Sequence, residues 1–242
     1  MKNIIIGIAG VANSGKDTIA SMINYINHVG VTKASYSNWL THQKYYDLNL
    51  KHRIIHFADP LKDCLSIMYN IPREYFDDRV KKDKEYFLIH EGRFVDEETF
   101  KVKYHEITFY QLKKYTLNEI LNDTLTNVGI KLRTLMQYFG TNVCRNIMSD
   151  DIWIKAAMYR AADIAENSEI CIFPDVRFSN EAIAIMNHSF YGGVIKVNRN
   201  SCKQSEHESE IIDFDCSIEL DNNGTKMQLF YKVLEIYKQL IK

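Results

Sequence analysis

The stretch that most constrains this chain is residues 10–18, which read GVANSGKDT. A short apolar run at residues 4–9 precedes it and has the composition of a buried parallel strand. After it, apolar residues recur every three or four positions from Ile19 to Ile26, as in an amphipathic helix. A strand, a glycine-bearing loop, a lysine and a helix in this order predict a loop whose backbone N–H groups bind the phosphates of a nucleoside triphosphate. The residues expected at this site are Ala12, Asn13, Ser14, Gly15, Lys16, Asp17 and Thr18.

Asp17 departs from the usual loop sequence, in which Ser or Thr follows the lysine and holds Mg²⁺. A carboxylate beside a triphosphate is repelled unless a cation lies between them. We therefore expect Asp17 to face Mg²⁺ and Thr18 to bond a phosphate oxygen. The alternative is that Asp17 only stabilises the start of the helix. A second candidate metal ligand is Asp175, which follows the strand predicted at residues 169–173 in the manner of a Walker B aspartate.

The composition restricts the partners of the chain. Its 242 residues carry a net charge of −1, so no broad positive field attracts nucleic acid. No apolar run approaches the ~20 residues of a membrane-spanning helix, and the N-terminus runs directly into strand residues without a cleavable signal. The cysteines number five and include no CxxC pair, as expected in a reduced compartment. We expect a cytoplasmic protein that binds small molecules and neither nucleic acid nor membranes.

Short apolar segments alternate with helical patterns, which predicts a single α/β domain over residues 1–242. Its five-stranded parallel sheet should carry helices on both faces. Residues 71–127 interrupt the alternation and are interpreted as an inserted, mobile arm. A polar, arginine-bearing segment at residues 198–210 resembles a lid. The predicted strands are residues 4–9, 53–58, 169–173, 194–197 and 216–220.

The inserted arm and the residues after it give local predictions. A short hairpin is expected to turn at Glu91 and Gly92, and residues 109–125 have a helical pattern. A further helix is expected to begin at about Val128, and Gly140 should bend or end it.

Fixed positive charge is the feature expected of a phosphoryl-transfer site, because an acceptor phosphate oxygen is already anionic and needs positioning more than acid–base chemistry. Lys16 supplies one such charge to the outer phosphates. A stripe of side chains one helical turn apart is either an acceptor-binding face or a solvated face. Its members are Arg133, Gln137, Thr141 and Arg145, and the other candidate cations are Arg177 and Arg199.

Asp59 and Lys62 open the helix that follows the second predicted strand. Asp59 is either a helix cap or a ligand-binding carboxylate at the edge of the sheet. Lys62 lies in the first helical turn, where a cation opposes the helix dipole, so an anionic ligand would explain it better than helix stability.

Five motifs follow one another along the chain. They are GKDT at residues 15–18, FADPLK at 57–62, QYFGT at 137–141 with Arg145 and Trp153, DVRFSNE at 175–181 and HESE at 207–210. In this order they resemble the deoxynucleoside monophosphate kinases of bacteriophages, from residue 4 to about residue 210. In that family the aspartate after the loop lysine is the usual form, and residues 71–127 match least.

The resemblance implies a P-loop kinase fold and transfer of the ATP γ-phosphate to a deoxynucleoside 5′-monophosphate with Mg²⁺. Residues 71–127 would then lie on the acceptor side. The resemblance also suggests that the segment from Gln137 to Arg145 and Trp153 lie beside the monophosphate. The residues expected in catalysis are Lys16, Arg145, Arg177 and Arg199, with Asp17 and Asp175 at the metal. The expected acceptor-binding residues are Asp59, Lys62, Arg133, Gln137, Gly140, Thr141, Arg145, Trp153 and Asp175.

Two other functions stay open at this point. One is a different small-molecule P-loop kinase, acting on phosphomevalonate or dephospho-coenzyme A, although residues 137–153 suit a nucleobase better. The other is a P-loop switch protein, against which stand the absence of a guanine-reading NKxD motif and of a long partner-binding tail. A viral source would place the protein in the host cytoplasm, and a homodimer is compatible with the sequence.

Overall fold

Strand β1 (Ile4–Ala9) is buried along its whole length. It belongs to a computed structural model that describes residues 3–84, 86–90, 93–95, 127–188, 190–200 and 214–242. The chain divides into two compact units. The first unit is Met1–Phe57 with Ile154–Lys242, and the second unit is Ala58–Trp153. The expectation of a single domain over residues 1–242 stays a prediction.

A parallel sheet forms the centre of the first unit. Besides β1, it contains β5 (Ile170–Val176), β6 (Tyr191–Asn198) and β7 (Ile218–Asp221). The order of its four strands is β5-β1-β6-β7, and β1 pairs in parallel with both β5 and β6. Because all the strands run the same way, the loops after β1, β5 and β6 leave the sheet at one edge.

The prediction of a fifth strand at residues 53–58 was wrong. This segment contributes a single parallel bridge, between Ile54 and Ile172 of β5. Phe57 stacks on Phe173 with ring centroids 4.3 Å apart, so the segment still lies along β5. A 3₁₀ turn ends at the first residue of the segment, Arg53, and a helix begins directly after it, which leaves too few residues for a continuous ladder.

Helices cover both faces of this sheet, as predicted from its buried strands. On one face, Ile4, Ile6 and Ile8 of β1 pack in a cluster with three helices, α1 (Lys16–Val29), α2 (Tyr36–Asn49) and α8 (Lys226–Leu240). On the other face, Ile5 and Ala9 of β1 pack with two helices, α6 (Ile152–Ser168) and α7 (Ser179–Met186).

The second unit combines helices with a small antiparallel sheet, in which β2 lies between β3 and β4. Its strands are β2 (Tyr86–His90), β3 (Arg93–Val95) and β4 (Asn127–Lys131). Its helices are α3 (Asp59–Tyr69), α4 (Arg79–Lys84) and α5 (Leu132–Gln137), with a 3₁₀ turn at Arg73–Phe76 and a π-helix at Tyr138–Met148. A cluster that includes Leu61, Phe76, Leu132 and Trp153 forms its core.

Local predictions for this unit had mixed outcomes. The hairpin is confirmed, since β2 and β3 pair antiparallel with Leu88 opposite Val95. The predicted helix start at Val128 was wrong, because this residue lies in β4 and pairs with β2. A partner strand favours the extended form for such a β-branched residue over its weak helical pattern. The helix therefore starts four residues later, at Leu132.

The remaining local predictions lie outside the described residues. These are the turn of the hairpin, the helix over residues 109–125, and all but the first three residues of the lid-like segment at 198–210. In the part of the chain that is described, no helix has both the length and the apolar character required to cross a membrane.

Candidate active site

The loop after β1 has the backbone conformation of a phosphate cradle. Asn13 and Gly15 have positive φ angles of 63° and 100°, a region that asparagine and glycine tolerate best. The loop closes tightly, because a Cβ on Gly10 would come within 2.6 Å of the Ser14 Oγ. Helix α1 starts immediately afterwards at Lys16, so its positively polarised end meets the loop.

The Lys16 side chain folds back over this loop. Its Nζ donates hydrogen bonds to the carbonyl of Gly10 at 2.6 Å and to that of Val11 at 2.8 Å. An ammonium group has three donors and a mobile stem, so it can exchange carbonyl oxygens for phosphate oxygens. Ala12 and Asn13 are exposed at the tip of the loop, which leaves that part of the loop accessible to a ligand.

Two predicted loop residues continue into the first turn of α1. Asp17 is exposed there, and Thr18 is half-buried. Among the residues described, no group of three or more His, Cys, Asp or Glu side chains is arranged to hold a metal ion. The described carboxylates therefore form no complete protein-made cage of the kind that a tightly held structural ion requires.

Asp175 lies near the carboxyl end of β5 and is paired with a histidine. Its Oδ2 lies 3.0 Å from the Nδ1 of His56. Its Oδ1 is buried and has no hydrogen-bond partner. A buried carboxylate oxygen without a donor is costly, so this atom suits a cation or a cation-bound water. Sequence reasoning did not single out His56, which lies in the segment taken for a plain strand.

The turn after β5 is shaped by a buried acidic residue. Glu181 is only 5% exposed, and its Oε2 accepts backbone N–H bonds from Arg177 at 2.8 Å and Phe178 at 3.2 Å. These bonds fix the backbone of the turn, while the Arg177 side chain is exposed. The glutamate of the DVRFSNE motif therefore has a clear structural role.

Arg199 begins the polar segment after β6 and contacts the phosphate loop. Its Nη1 donates to the carbonyl of Asn13 at 3.3 Å. The exposed guanidinium is therefore held at the tip of the loop. The first unit thus brings Arg199 together with the predicted phosphate site, from a position 186 residues away in the chain.

A cavity of about 360 Å³ lies at the opposite, amino-terminal edge of the sheet. Arg53 in its wall already donates to the Asn27 Oδ1 at 3.1 Å. Burial lowers the pKa of Arg53, and the nearby Glu169 opposes that effect. Charges of both signs thus line the wall, and the cavity is separate from the phosphate loop.

In the second unit, Asp59 and Lys62 belong to a network of ion pairs. The Lys62 Nζ lies 3.2 Å from the Asp59 Oδ1 and 2.8 Å from the Asp77 Oδ1. Arg73 contacts Asp59 at 2.8 Å, Asp63 at 2.5 Å and Asp77 at 2.7 Å. The carboxylates explain a buried lysine at a helix start without an anionic ligand. Contact of Asp59 and Lys62 with substrate stays a prediction, and Arg73 was missed because nothing in its local sequence indicates this network.

Asp77 gives this network a dependence on pH. Burial alone would raise the pKa of Asp77, but hydrogen bonds and charges from Lys62 and Arg73 outweigh it and lower the pKa below its usual value. A lowered pKa in the folded state stabilises the protein above about pH 4, and this contribution is lost as the pH falls through the lowered value.

We therefore expect Asp77→Asn to lower the melting temperature near neutral pH, with the difference from wild type shrinking as the pH falls below about 4. Melting curves over that pH range provide the measurement. The exposed Asp215 lies in the first unit, so Asp215→Asn serves as the control. A difference that stays constant down to the lowest pH would contradict the proposed electrostatic cause.

The predicted acceptor stripe lies along α5 and the π-helix. Arg133, Gln137 and Thr141 are exposed, and Arg145 is half-buried. The change from α to π geometry at Tyr138 widens the helical turns over the second half of the stripe. Such π-helical turns are frequent at functional sites, and they set Arg145 apart from a uniformly solvated face.

Gly140 and Trp153 meet in the core of the second unit. The Trp153 indole N–H donates to the carbonyl of Gly140 at 3.0 Å, and the side chain is 6% exposed. A Cβ on Gly140 would lie 2.8 Å from the Leu61 Cδ2. Both residues therefore pack the π-helix against its neighbours, and their contact with the acceptor stays a prediction.

The first unit has the features of one class of proteins, the P-loop nucleotide-binding α/β proteins. A glycine-bearing loop joins the central strand of a parallel sheet to a helix that begins with lysine. Residues 4–222 match the deoxynucleotide monophosphate kinase family. The chain belongs to this family and is a kinase, a phosphotransferase enzyme.

The chain is also similar to the deoxynucleoside-5′-monophosphate kinase of Escherichia phage T5. The two are 22% identical over 228 residues, which cover 86% of this chain and 84% of the phage protein. The resemblance to phage kinases that the motifs indicated is thereby confirmed. The family assignment also decides against the switch-protein alternative.

Proposed function

We propose that this kinase transfers the γ-phosphate of ATP to a deoxynucleoside 5′-monophosphate and releases ADP and the corresponding diphosphate. The observation that carries the donor assignment is the Lys16 ammonium, lying on the carbonyls of Gly10 and Val11 in a loop with left-handed Asn13 and Gly15. The acceptor class comes from the family and from the name of the phage relative.

Different groups of the loop bind and neutralise the phosphates of the donor nucleotide. Backbone N–H groups of the loop bind the phosphates, and the start of α1 adds partial positive charge. The Lys16 ammonium moves from the loop carbonyls to the outer phosphates and neutralises charge there. Arg199 contacts the tip of the loop at the carbonyl of Asn13, and Arg177 follows β5 at the same edge of the sheet. We propose that both arginines neutralise negative charge of the bound nucleotide.

The acceptor needs orientation more than deprotonation, because its attacking phosphate oxygen is already anionic. Arg145 grips the acceptor phosphate with two parallel hydrogen bonds. Arg133, Gln137 and Thr141 bind the rest of the nucleotide along the same stripe. Asp59 and Lys62 order the start of α3, and Gly140 with Trp153 supports the π-helix that carries the stripe.

The residue types at the donor site suit Mg²⁺. This ion usually keeps several waters and takes one or two carboxylates together with phosphate oxygens. Asp17 and Asp175 would hold it, the latter through its buried and unpartnered Oδ1. When bound, the ion supplies neutralising charge to the phosphates. Thr18 bonds a phosphate oxygen beside Asp17.

An Asp17→Asn enzyme should need more Mg²⁺ than wild type. If the carboxylate faces the ion directly or through a water, its loss raises the half-saturating Mg²⁺ concentration several-fold, and high Mg²⁺ restores part of the rate. The measurement is a titration of turnover with Mg²⁺ at saturating ATP. Asp150→Asn is a matched control, because Asp150 is an exposed carboxylate two residues before the start of α6.

A change confined to the melting temperature of Asp17→Asn, with the Mg²⁺ curve unmoved, would make Asp17 a helix-end residue. A favourable charge at a helix start contributes only ~0.3–1 kcal/mol. That result would leave Asp175 as the sole proposed protein ligand.

A coupled assay of ADP release over a panel of acceptors tests the proposed function. The panel contains the four deoxynucleoside monophosphates, their ribose forms, phosphomevalonate and dephospho-coenzyme A. We expect ADP release to depend on an added nucleoside monophosphate, and the preferences for base and for deoxyribose over ribose follow from the same data. Rapid ATP hydrolysis that no monophosphate affects would contradict the proposal, and turnover with phosphomevalonate or dephospho-coenzyme A would replace it.

We infer that the substrates are free nucleotides, that nucleic acid is not bound, and that the enzyme works in the cytoplasm, of the host if its source is viral. A homodimer is the proposed assembly. Analytical ultracentrifugation tests the dimer, and a filter-binding assay with single- and double-stranded DNA tests the second inference.

A further inference from the structure

The side chain of Asn222 is hydrogen-bonded to the phosphate loop, although it lies 208 residues from Ser14 in sequence. It follows β7 directly and is 8% exposed. Its Nδ2 donates to the carbonyl of Ser14 at 2.7 Å. Its own backbone N–H donates to the carbonyl of Asn198 at 2.8 Å, which continues the β6–β7 pairing and fixes where the side chain starts.

The bond to Ser14 determines the direction of the next peptide N–H. In a planar trans peptide the carbonyl and the following N–H point to opposite sides. With the Ser14 carbonyl held by Asn222, the N–H of Gly15 points away from Asn222. This N–H is one of the loop donors expected to bind phosphate.

Asn222 also accounts for the glycine at position 15. A Cβ there would come within 2.6 Å of the Asn222 Nδ2, and the residue has a φ of 100°. The amide of Asn222 therefore occupies the space that a side chain on residue 15 would need. The buried Asn222 amide can therefore occupy this position only because residue 15 has no side chain.

We propose that Asn222 is a positioning residue for the donor phosphates. It acts through the Ser14–Gly15 peptide and touches neither the nucleotide nor the reacting atoms. The inference rests on the proposed function, in which ATP is the donor. It goes beyond that function because it assigns part of the ATP affinity to a side chain outside the loop.

The test compares ATP binding by the full-length wild type, Asn222→Ala and Asn222→Leu, using titration calorimetry and steady-state kinetics. Loss of one hydrogen bond that orients a phosphate donor should weaken ATP binding about tenfold. The KM for ATP should rise in parallel, and the KM for the acceptor should stay unchanged. Asn222→Leu keeps the branched shape of the side chain, loses the donor and adds no charge, so it should behave like Asn222→Ala.

Asn24 provides a control matched in chemistry. It is 3% exposed, and its Nδ2 donates to the carbonyl of Leu50 at 2.9 Å. Asn24→Ala therefore removes the same kind of buried side-chain-to-backbone bond away from the loop. It should lower the melting temperature as Asn222→Ala does, without a selective change in ATP affinity.

Equal ATP affinity in wild type and in both Asn222 variants would overturn the inference. So would an equal loss of ATP affinity in Asn24→Ala, because the effect would then be one of general stability. Should Asn222→Ala fail to fold, Asn222→Leu decides by the same criteria. Wild type that binds ATP but phosphorylates no monophosphate would overturn the proposed function and leave the Asn222 comparison valid.

Discussion

Lys16→Ala is expected to abolish most turnover while the fold stays intact. The Nζ of Lys16 lies within 2.8 Å of two loop carbonyls, from which it can turn to the outer phosphates of a nucleotide bound in the loop. Removing a preorganised cation from a phosphoryl-transfer site should lower kcat by about 10²–10³-fold. The backbone of the loop depends on its glycine and asparagine conformations, which the substitution leaves unchanged.

The stability of this variant separates catalysis from folding. Two partly buried hydrogen bonds to carbonyls are lost, each worth about 0.5–1.5 kcal/mol, so the melting temperature should fall by only a few degrees. Lys33→Ala removes an exposed lysine from the same unit and should leave both kcat and melting temperature unchanged. A Lys16→Ala enzyme that kept more than about a tenth of wild-type turnover would contradict the assigned role.

Local sequence was sufficient to predict the strand, loop and helix around Lys16. The apolar run, the glycines and the helical spacing all act within about 25 neighbouring residues, and each favours the same structure. The covering of both sheet faces was predictable for a similar reason. A strand such as Ile4–Ala9 that is apolar at every position must be buried on both sides.

Predictions that depended on distant partners were less accurate. Residues 53–58 have strand composition, yet the 3₁₀ turn before them and the helix after them limit their pairing to one bridge. The spacing of apolar residues from Val128 onward predicts a helix, but in the structure Val128 pairs with the strand at residues 86–90. In both cases the sequence indicates the local preference, and the neighbouring elements decide whether it is realised.

The candidate site shows the same limit. The position of Lys62 in the first turn of a helix indicated an anionic ligand, but in the folded unit its ammonium group pairs with Asp59 and Asp77. The cause is that Asp77 lies 15 residues away, beyond the reach of helix spacing rules. Asn222 was missed because its partner, Ser14, is even further away, at a distance of 208 residues in sequence. A polar residue directly after a strand is typical of a turn, and only the folded structure shows that it contacts the phosphate loop.

Arg145→Lys is expected to lower kcat by about 10²-fold or more, although the charge is kept. Arginines at transferring phosphoryl groups supply about 10³–10⁵ in rate. Most of that depends on a planar fork that grips two phosphate oxygens at once, which a lysine cannot reproduce. Arg145 is half-buried in the π-helix, so it is less solvated than a residue on an exposed helix face.

The comparison with Arg160→Lys makes this test selective. Arg160 is exposed on α6, and its replacement should leave turnover unchanged. Because Arg145 is assigned to the acceptor, Arg145→Lys should also raise the KM for the monophosphate more than the KM for ATP. Kinetics equal to those of wild type would place Arg145 on a solvated face. A rise in the KM for ATP alone would assign it instead to the donor.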